Sequence, residues 1–212
     1  DALAYVQMRN FSSVVISAPG AQLNAGDGVT VTATDSDTVS GQPTTTPTLT
    51  IGSETGIAMT AGVTTGNTRT WTYTISAGGT TDTGAISAAG NMAAGVSDTA
   101  GNAVSGTTPA ATGSFTADTT APAAPTVALA TDAGSSTSDG ITNVGTVNVG
   151  SLEGGSTWEY STNSGTNWTA GTGSSFTLGA GTYAAGAVRV RQTDAAGNLG
   201  AVGQIAGAIT VD

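Results

Sequence analysis

The chain has 212 residues, enough for one large β domain or for two of roughly 100 residues each, either of which can bury a core. Charged residues are 8% of it, aromatics 5%, and glycine fills 32 positions, which excludes a disordered polyampholyte, a coiled coil and a long-helix protein. Fourteen acidic residues against four basic ones give a net charge of −10, and Arg9, Arg69, Arg189 and Arg191 are too few and too scattered to neutralise nucleic acid or anionic lipid.

In chain order, residues 2–11 precede the first recognisable strand and read as a first strand of their own sheet, a frayed terminus, or a segment donated to a neighbouring copy. Val29, Val31 and Ala33 alternate with Thr30, Thr32 and Thr34, a strand with one wet face. Asp35 and Asp37 follow at its end and read as a solvated pair. In 68–75 the threonines at 68, 70, 72 and 74 share one face, and Trp71, Tyr73 and Ile75 share the other. Ala89–Ala94 is alanine-rich but short, and glycines at 90 and 95 limit it to one helical turn at most. Trp158 to Trp168 reads as a hairpin around Asn163-Ser-Gly165, with Gly165 supplying positive φ and Trp158 and Tyr160 pointing inward. Val188 and Val190 alternate with Arg189 and Arg191, a further half-wet strand.

A repeat organises these strands. Asp98-Thr-Ala-Gly-Asn102 recurs as Asp194-Ala-Ala-Gly-Asn198, 96 residues later, and Thr116-Ala-Asp118 recurs as Thr210-Val-Asp212, 94 residues later. The expected organisation is a first domain over 1–118, a linker over 119–123 whose Pro122 favours an extended chain, and a second domain over 124–212. Short strands at about ten-residue spacing in units of this size predict two tandem immunoglobulin-like β-sandwiches, all-β, without the inter-sheet disulfide of antibody domains. The start at Asp1 and the second unit's end at Asp212 read as an excised segment of a longer array.

Asp118-Thr-Thr-Ala-Pro122, the segment from Thr131 to Asn143, and Arg191-Gln-Thr-Asp-Ala-Ala-Gly-Asn198 resemble the bacterial Ig-like repeats of giant surface adhesins and biofilm-associated proteins. The resemblance spans nearly all of the second unit. The first is more divergent, keeping Leu23-Asn-Ala-Gly-Asp27 and the Asp98 motif. The resemblance implies an extracellular, non-enzymatic extender on a bacterial cell surface, with Ca²⁺ stiffening the domain junctions. Its partners would be adjacent repeats or copies of itself, and a host, ice or biofilm surface reached through other domains.

Composition narrows the chemistry further. With no His and no Cys, Ser-His-Asp and Cys-His catalysis and thiolate or imidazole metal sites are absent. The apolar runs fall far below the roughly 18 residues of a membrane span. Ig connectivity would gather Asp118, Asp27, Asp82, Asp194 and Glu153 near one junction, and Asp132, Asp139 and Asp212 near the next. Such oxygen ligands suit Ca²⁺, which takes six to eight of them. The plainer alternative is that these residues form turns by bonding their own backbone. A glycosidase pair is disfavoured, since Glu153 and Glu159 would lie about 20 Å apart on an extended chain. Three other readings stay open: a threonine face ordering water against ice, a glycan site at Trp168 with Asn163 and Asn167, and a filament or surface-layer subunit using its N-terminal strand for β-augmentation.

Overall fold

A computed structural model describes residues 11–35, 39–40, 46–76, 84–90, 97–98, 111 and 114–212. It is all-β: the described residues contain no helix, hence none long and apolar enough to cross a membrane. The chain divides into two compact units, Asp1–Thr120 and Ala121–Asp212, each an immunoglobulin-like β-sandwich.

Unit 1 contains β1 (Phe11–Ser17), β2 (Gln22–Leu23), β3 (Gly28–Asp35), β4 (Val39–Ser40), β5 (Thr48–Ile51), β6 (Glu54–Ala58), β7 (Thr60–Thr65), β8 (Thr68–Thr74), β9 (Gly84–Ala89), β10 (Ser97–Asp98) and β11 (Thr116–Ala117). One sheet has the order β1-β3-β8-β7, the other β2-β11-β9-β5-β6, and β4 pairs with β10. Period-two alternation decides the faces: Val29, Val31, Ala33 and Trp71 are buried, while Thr30, Thr32, Thr34 and Thr70 stay half-exposed behind them. Val14, Ile16, Leu49, Ile51 and Ile86 complete the core between the sheets. Each large side chain so buried contributes about 1.5–3 kcal/mol.

Unit 2 contains β12 (Thr126–Leu129), β13 (Ile141–Thr142), β14 (Thr146–Gly150), β15 (Thr157–Ser161), β16 (Thr169–Ala170), β17 (Ser175–Thr177), β18 (Gly181–Tyr183), β19 (Arg189–Thr193), β20 (Gly203–Gln204) and β21 (Ile209–Val211). Its sheets are β12-β14-β17, β13-β21-β18 and β16-β15-β19-β20. Trp158 and Phe176 face each other in the core at 6.2 Å, and Tyr160 stacks on Phe176 at 4.1 Å. Trp158 also donates from Nε1 to the Gly173 carbonyl at 3.0 Å, so its one polar atom is satisfied. Gly171 packs against the face of that indole, where a Cβ would collide with the ring.

The two copies of the Thr-x-Asp motif occupy the same place in their units. Thr116 and Ala117 form β11, parallel to β2, and Thr210 and Val211 lie in β21, parallel to β13. In unit 2, Thr126 pairs with Gly150 and Leu129 with Val147, so β12 begins beside the far end of β14 from Asn143. The chain therefore comes into unit 2 at one end of the sandwich and leaves at the other.

Two expectations need correction. Asp35 is not solvated: it closes β3 with 1% of its surface exposed, and the inward parity of β8 buries Arg69 to the same degree. Burial pulls the Arg69 guanidinium below its ordinary value, and the charge of Asp35 opposes that pull. Pro122 and Ala123, read as linker, belong to unit 2, where Pro122 is buried and Ala123 is hydrogen-bonded to Gln192. Asp37, residues 1–10 and 91–94 of the alanine-rich stretch lie outside the described residues.

Candidate functional site

The acidic loop residues come first, because the chain holds no other obvious ligating chemistry. At the exit end of unit 1, Asp27 Oδ2 accepts from the Asn24 N–H at 3.0 Å, closing the turn after β2. Asp118 donates its N–H to the Leu23 carbonyl at 2.8 Å, and its Oδ1 accepts from the Thr120 N–H at 3.0 Å. Asp82 lies outside the described residues.

At the incoming end of unit 2, Asp194 is engaged with its own loop. Oδ1 accepts from the Asn198 N–H at 2.8 Å and Oδ2 from the Asn198 side-chain amide at 2.9 Å. Glu153 uses its backbone there, donating to Gln192 Oε1 at 2.9 Å. At the exit end, Asp132 Oδ2 accepts from the Gly140 N–H at 2.9 Å and Asp139 Oδ1 from the Ile141 N–H at 3.1 Å. Asp132 Oδ1 is buried with no hydrogen-bond partner. Beside it, Asp139, Ile141, Asn143 and Asp212 line a cleft of about 210 Å³. Among the described residues no group of three or more carboxylates gathers where it could hold a metal ion.

The saccharide candidate is committed to packing. Asn163 Oδ1 accepts from Ser161 Oγ and from the Asn167 N–H, both at 2.9 Å. The Trp168 ring lies under the Arg191 guanidinium at 4.2 Å, and Arg191 in turn holds Glu159 at 2.8 Å. Ser161, 2% exposed, is the hub of this loop, since its Oγ also accepts from the N–H groups of Asn163 and Gly165. Gly165 takes the positive φ its turn requires, and Ser164 before it does so too.

On the other face of unit 1's first sheet, Ser17, Thr30, Thr72 and Thr60 fall in one row and Ser13, Thr34, Thr68 and Thr65 in another. Strand twist rotates neighbours by about 20–25°, so these hydroxyl rows fan rather than lie flat.

The most fully satisfied polar group is one that loop composition does not reveal. Gln192 is 0% exposed, on the inward parity of Val188 and Val190. Its Nε2 donates to the carbonyls of Ala123 at 2.8 Å and Ser151 at 3.1 Å. Its Oε1 accepts from the Glu153 N–H at 2.9 Å and from Ser156 Oγ at 3.0 Å. One amide thus ties the incoming chain to the 151–156 loop and to β19.

No protein-family model matches the chain, and no curated protein matches it. Among solved structures, the Yersinia pseudotuberculosis adhesin InvE is similar at 18% identity with a TM-score of 0.32, over 96% of this chain and 60% of that one. The chain thus spans less than two thirds of that protein's length.

Asp27, Asp118, Asp132, Asp139 and Asp194 each give one carboxylate oxygen to a backbone N–H of their own unit, which fastens the loops at the ends of the sandwiches.

Proposed function

We propose that this chain is a non-enzymatic extender segment of an extracellular bacterial surface adhesin, joined in series to similar units. The observation that carries this reading is the through-passage of the unit 2 sandwich. In unit 2 the incoming residues sit at the Gly150 end of β14 and Asp212 at the Asn143 end, about 14 Å apart at roughly 3.4 Å per residue along that strand. Units threaded this way add length one after another, as solenoid and repeat chains do. The resemblance of the Asp118, Thr131–Asn143 and Arg191–Asn198 segments to adhesin repeats agrees with it.

The test is length. A head-to-tail fusion of two copies of the chain, measured by small-angle scattering, is expected to be monomeric and about twice as long as a single copy. A fusion no longer than the single chain refutes the extender, and ordered polymers formed by the single chain would favour a filament subunit instead.

Calcium belongs to the same reading as a weak stabiliser of the unit 2 cleft. Two carboxylates and an amide supply part of the six to eight oxygens it takes, leaving backbone carbonyls and water to complete the shell.

A further inference from the structure

We infer that Arg189 anchors a binding site for a carboxylated sugar on the outer face of the β16-β15-β19-β20 sheet. The site goes beyond the extender reading and does not depend on it. Parity sets the face: Val188, Val190 and Gln192 are buried in the sandwich, so Arg189 and Arg191 between them point outward from β19. These two arginines are the whole positive charge of unit 2, against Asp132, Asp139, Glu153, Glu159, Asp194 and Asp212.

Only one of the two is neutralised. Arg191 holds Glu159 at 2.8 Å and lies over Trp168. Among the described residues Arg189 has no carboxylate partner, and its one hydrogen bond runs from Nε to the Gly186 carbonyl at 2.8 Å. That bond fixes the base of the guanidinium and leaves both terminal nitrogens without an acceptor in the described chain. A planar fork already held at Nε loses little freedom on pairing, and its spacing matches the two oxygens of a single carboxylate.

Two glycines keep the fork open. A β-carbon at Gly165 would stand 3.7 Å from Arg189 Nη1, so a side chain there would fill the approach. A β-carbon at Gly186 would stand 3.5 Å from Oε1 of Gln204, the exposed residue opposite Arg189 in the β19–β20 register. Arg189 and Gln204 therefore converge on Gly186. No hydrogen bond among the described residues holds the Gln204 amide, which carries both donor and acceptor and suits the hydroxyls that flank the carboxylate of an acid sugar. The adjoining loops, 162–167 and 184–187, bear no charge, so nothing in them repels an acid or adds a second cation for a more highly charged group. Asn163 and Trp168, spent on packing, take no part.

The experiment uses the full chain labelled with ¹⁵N, in which four arginines give four Nε–Hε resonances and Arg189→Lys identifies one of them by its loss. Sodium glucuronate is expected to shift the Arg189 resonance saturably, with a midpoint on the order of millimolar, and to leave that of buried Arg69 in place. Sodium acetate at equal ionic strength offers the carboxylate without the hydroxyls and should bind roughly fivefold more weakly, the loss of one hydrogen bond. Glucose, without the charge, should shift nothing. Gln204→Ala should bring glucuronate down to the affinity of acetate and leave acetate unchanged. Arg189→Lys keeps the charge but not the fork and should lose binding, followed through the backbone amides of Gly165 and Gln204. Melting temperatures equal to that of the parent chain show that the variants are folded. No saturable shift of the Arg189 resonance in glucuronate, or acetate bound as tightly as glucuronate, overturns the site. Either result leaves the extender reading standing, because the length of the fusion tests it separately.

Discussion

Replacing Gln192 by Leu keeps a side chain of similar bulk in a fully buried position and removes only the amide. Three backbone groups lose a partner: the Ala123 and Ser151 carbonyls and the Glu153 N–H. Ser156 Oγ loses less, because its single proton already has the Glu153 carbonyl at 2.8 Å as an alternative. At about 1 kcal/mol net for each of three bonds, the loss is about 3 kcal/mol. Full desolvation penalties do not apply, since Ala123, Ser151 and Glu153 are exposed residues whose backbone water can reach once the loop loosens. Peptide-resolved hydrogen exchange reads the two units of the intact chain separately. Slow amides of β15 and β19 are expected to exchange about a hundredfold faster, at 1.4 kcal/mol per factor of ten, with unit 1 unchanged. Gln192→Glu should be worse near neutral pH, because it turns a charged oxygen toward two carbonyls. Burial there raises the folded-state pKa of the introduced acid, so its harm is greatest above that pKa and is relieved as pH falls through it. Unit 2 exchange unchanged in Gln192→Leu would refute the view that this amide anchors the incoming chain.

Gly171→Ala forces a methyl into the Trp158 ring and is expected to cost unit 2 about 2 kcal/mol or more, with a shift in tryptophan emission; an unchanged urea midpoint refutes the packing argument. Asp194→Ala should lower unit 2 stability by about 1–2 kcal/mol and Asp194→Asn by less, since the amide keeps one acceptor for Asn198; an unchanged denaturation midpoint in Asp194→Ala would mean that the loop bonds contribute nothing. Arg69→Met leaves Asp35 buried beside an apolar side chain and is expected to cost unit 1 about 3 kcal/mol, much of it recovered in the double variant with Asp35→Leu, as a double-mutant cycle of urea melts would read. Millimolar calcium should raise the melting temperature of unit 2 and do so less in Asp212→Asn; identical melts in calcium and in excess chelator remove the metal from this protein.

The sandwich architecture was legible because it is written in parity. Threonine and valine alternate through 29–34 and aromatic and threonine through 68–75, and a one-residue slip would turn every one of them to the wrong face. The closing strands were visible as the repeated Thr-x-Asp, although nothing in those letters says that the strand runs parallel to its partner. The polar centres were harder to see, yet they carry a signal of the same kind: Gln192 stands where the parity of Val188 and Val190 calls for an apolar residue, and Arg69 where that of Trp71 does. A polar residue on an inward position is a candidate for a buried network. The loop carboxylates are the least legible of all, since a turn former and a metal ligand look identical in sequence.

The closing ladders are made by main-chain groups, and a main-chain ladder is indifferent to which side chains stand on it. Leu23 in one unit answers to Thr142 in the other, and Ala117 to Val211, with the bonds unchanged in kind. Duplicated neighbours can therefore drift apart in sequence while keeping the same closure. Drift has its own value, because adjacent domains that are too alike exchange strands as they emerge and trap each other in misassembled pairs. A closure that ignores side chains lets a tandem array diversify against its own misfolding.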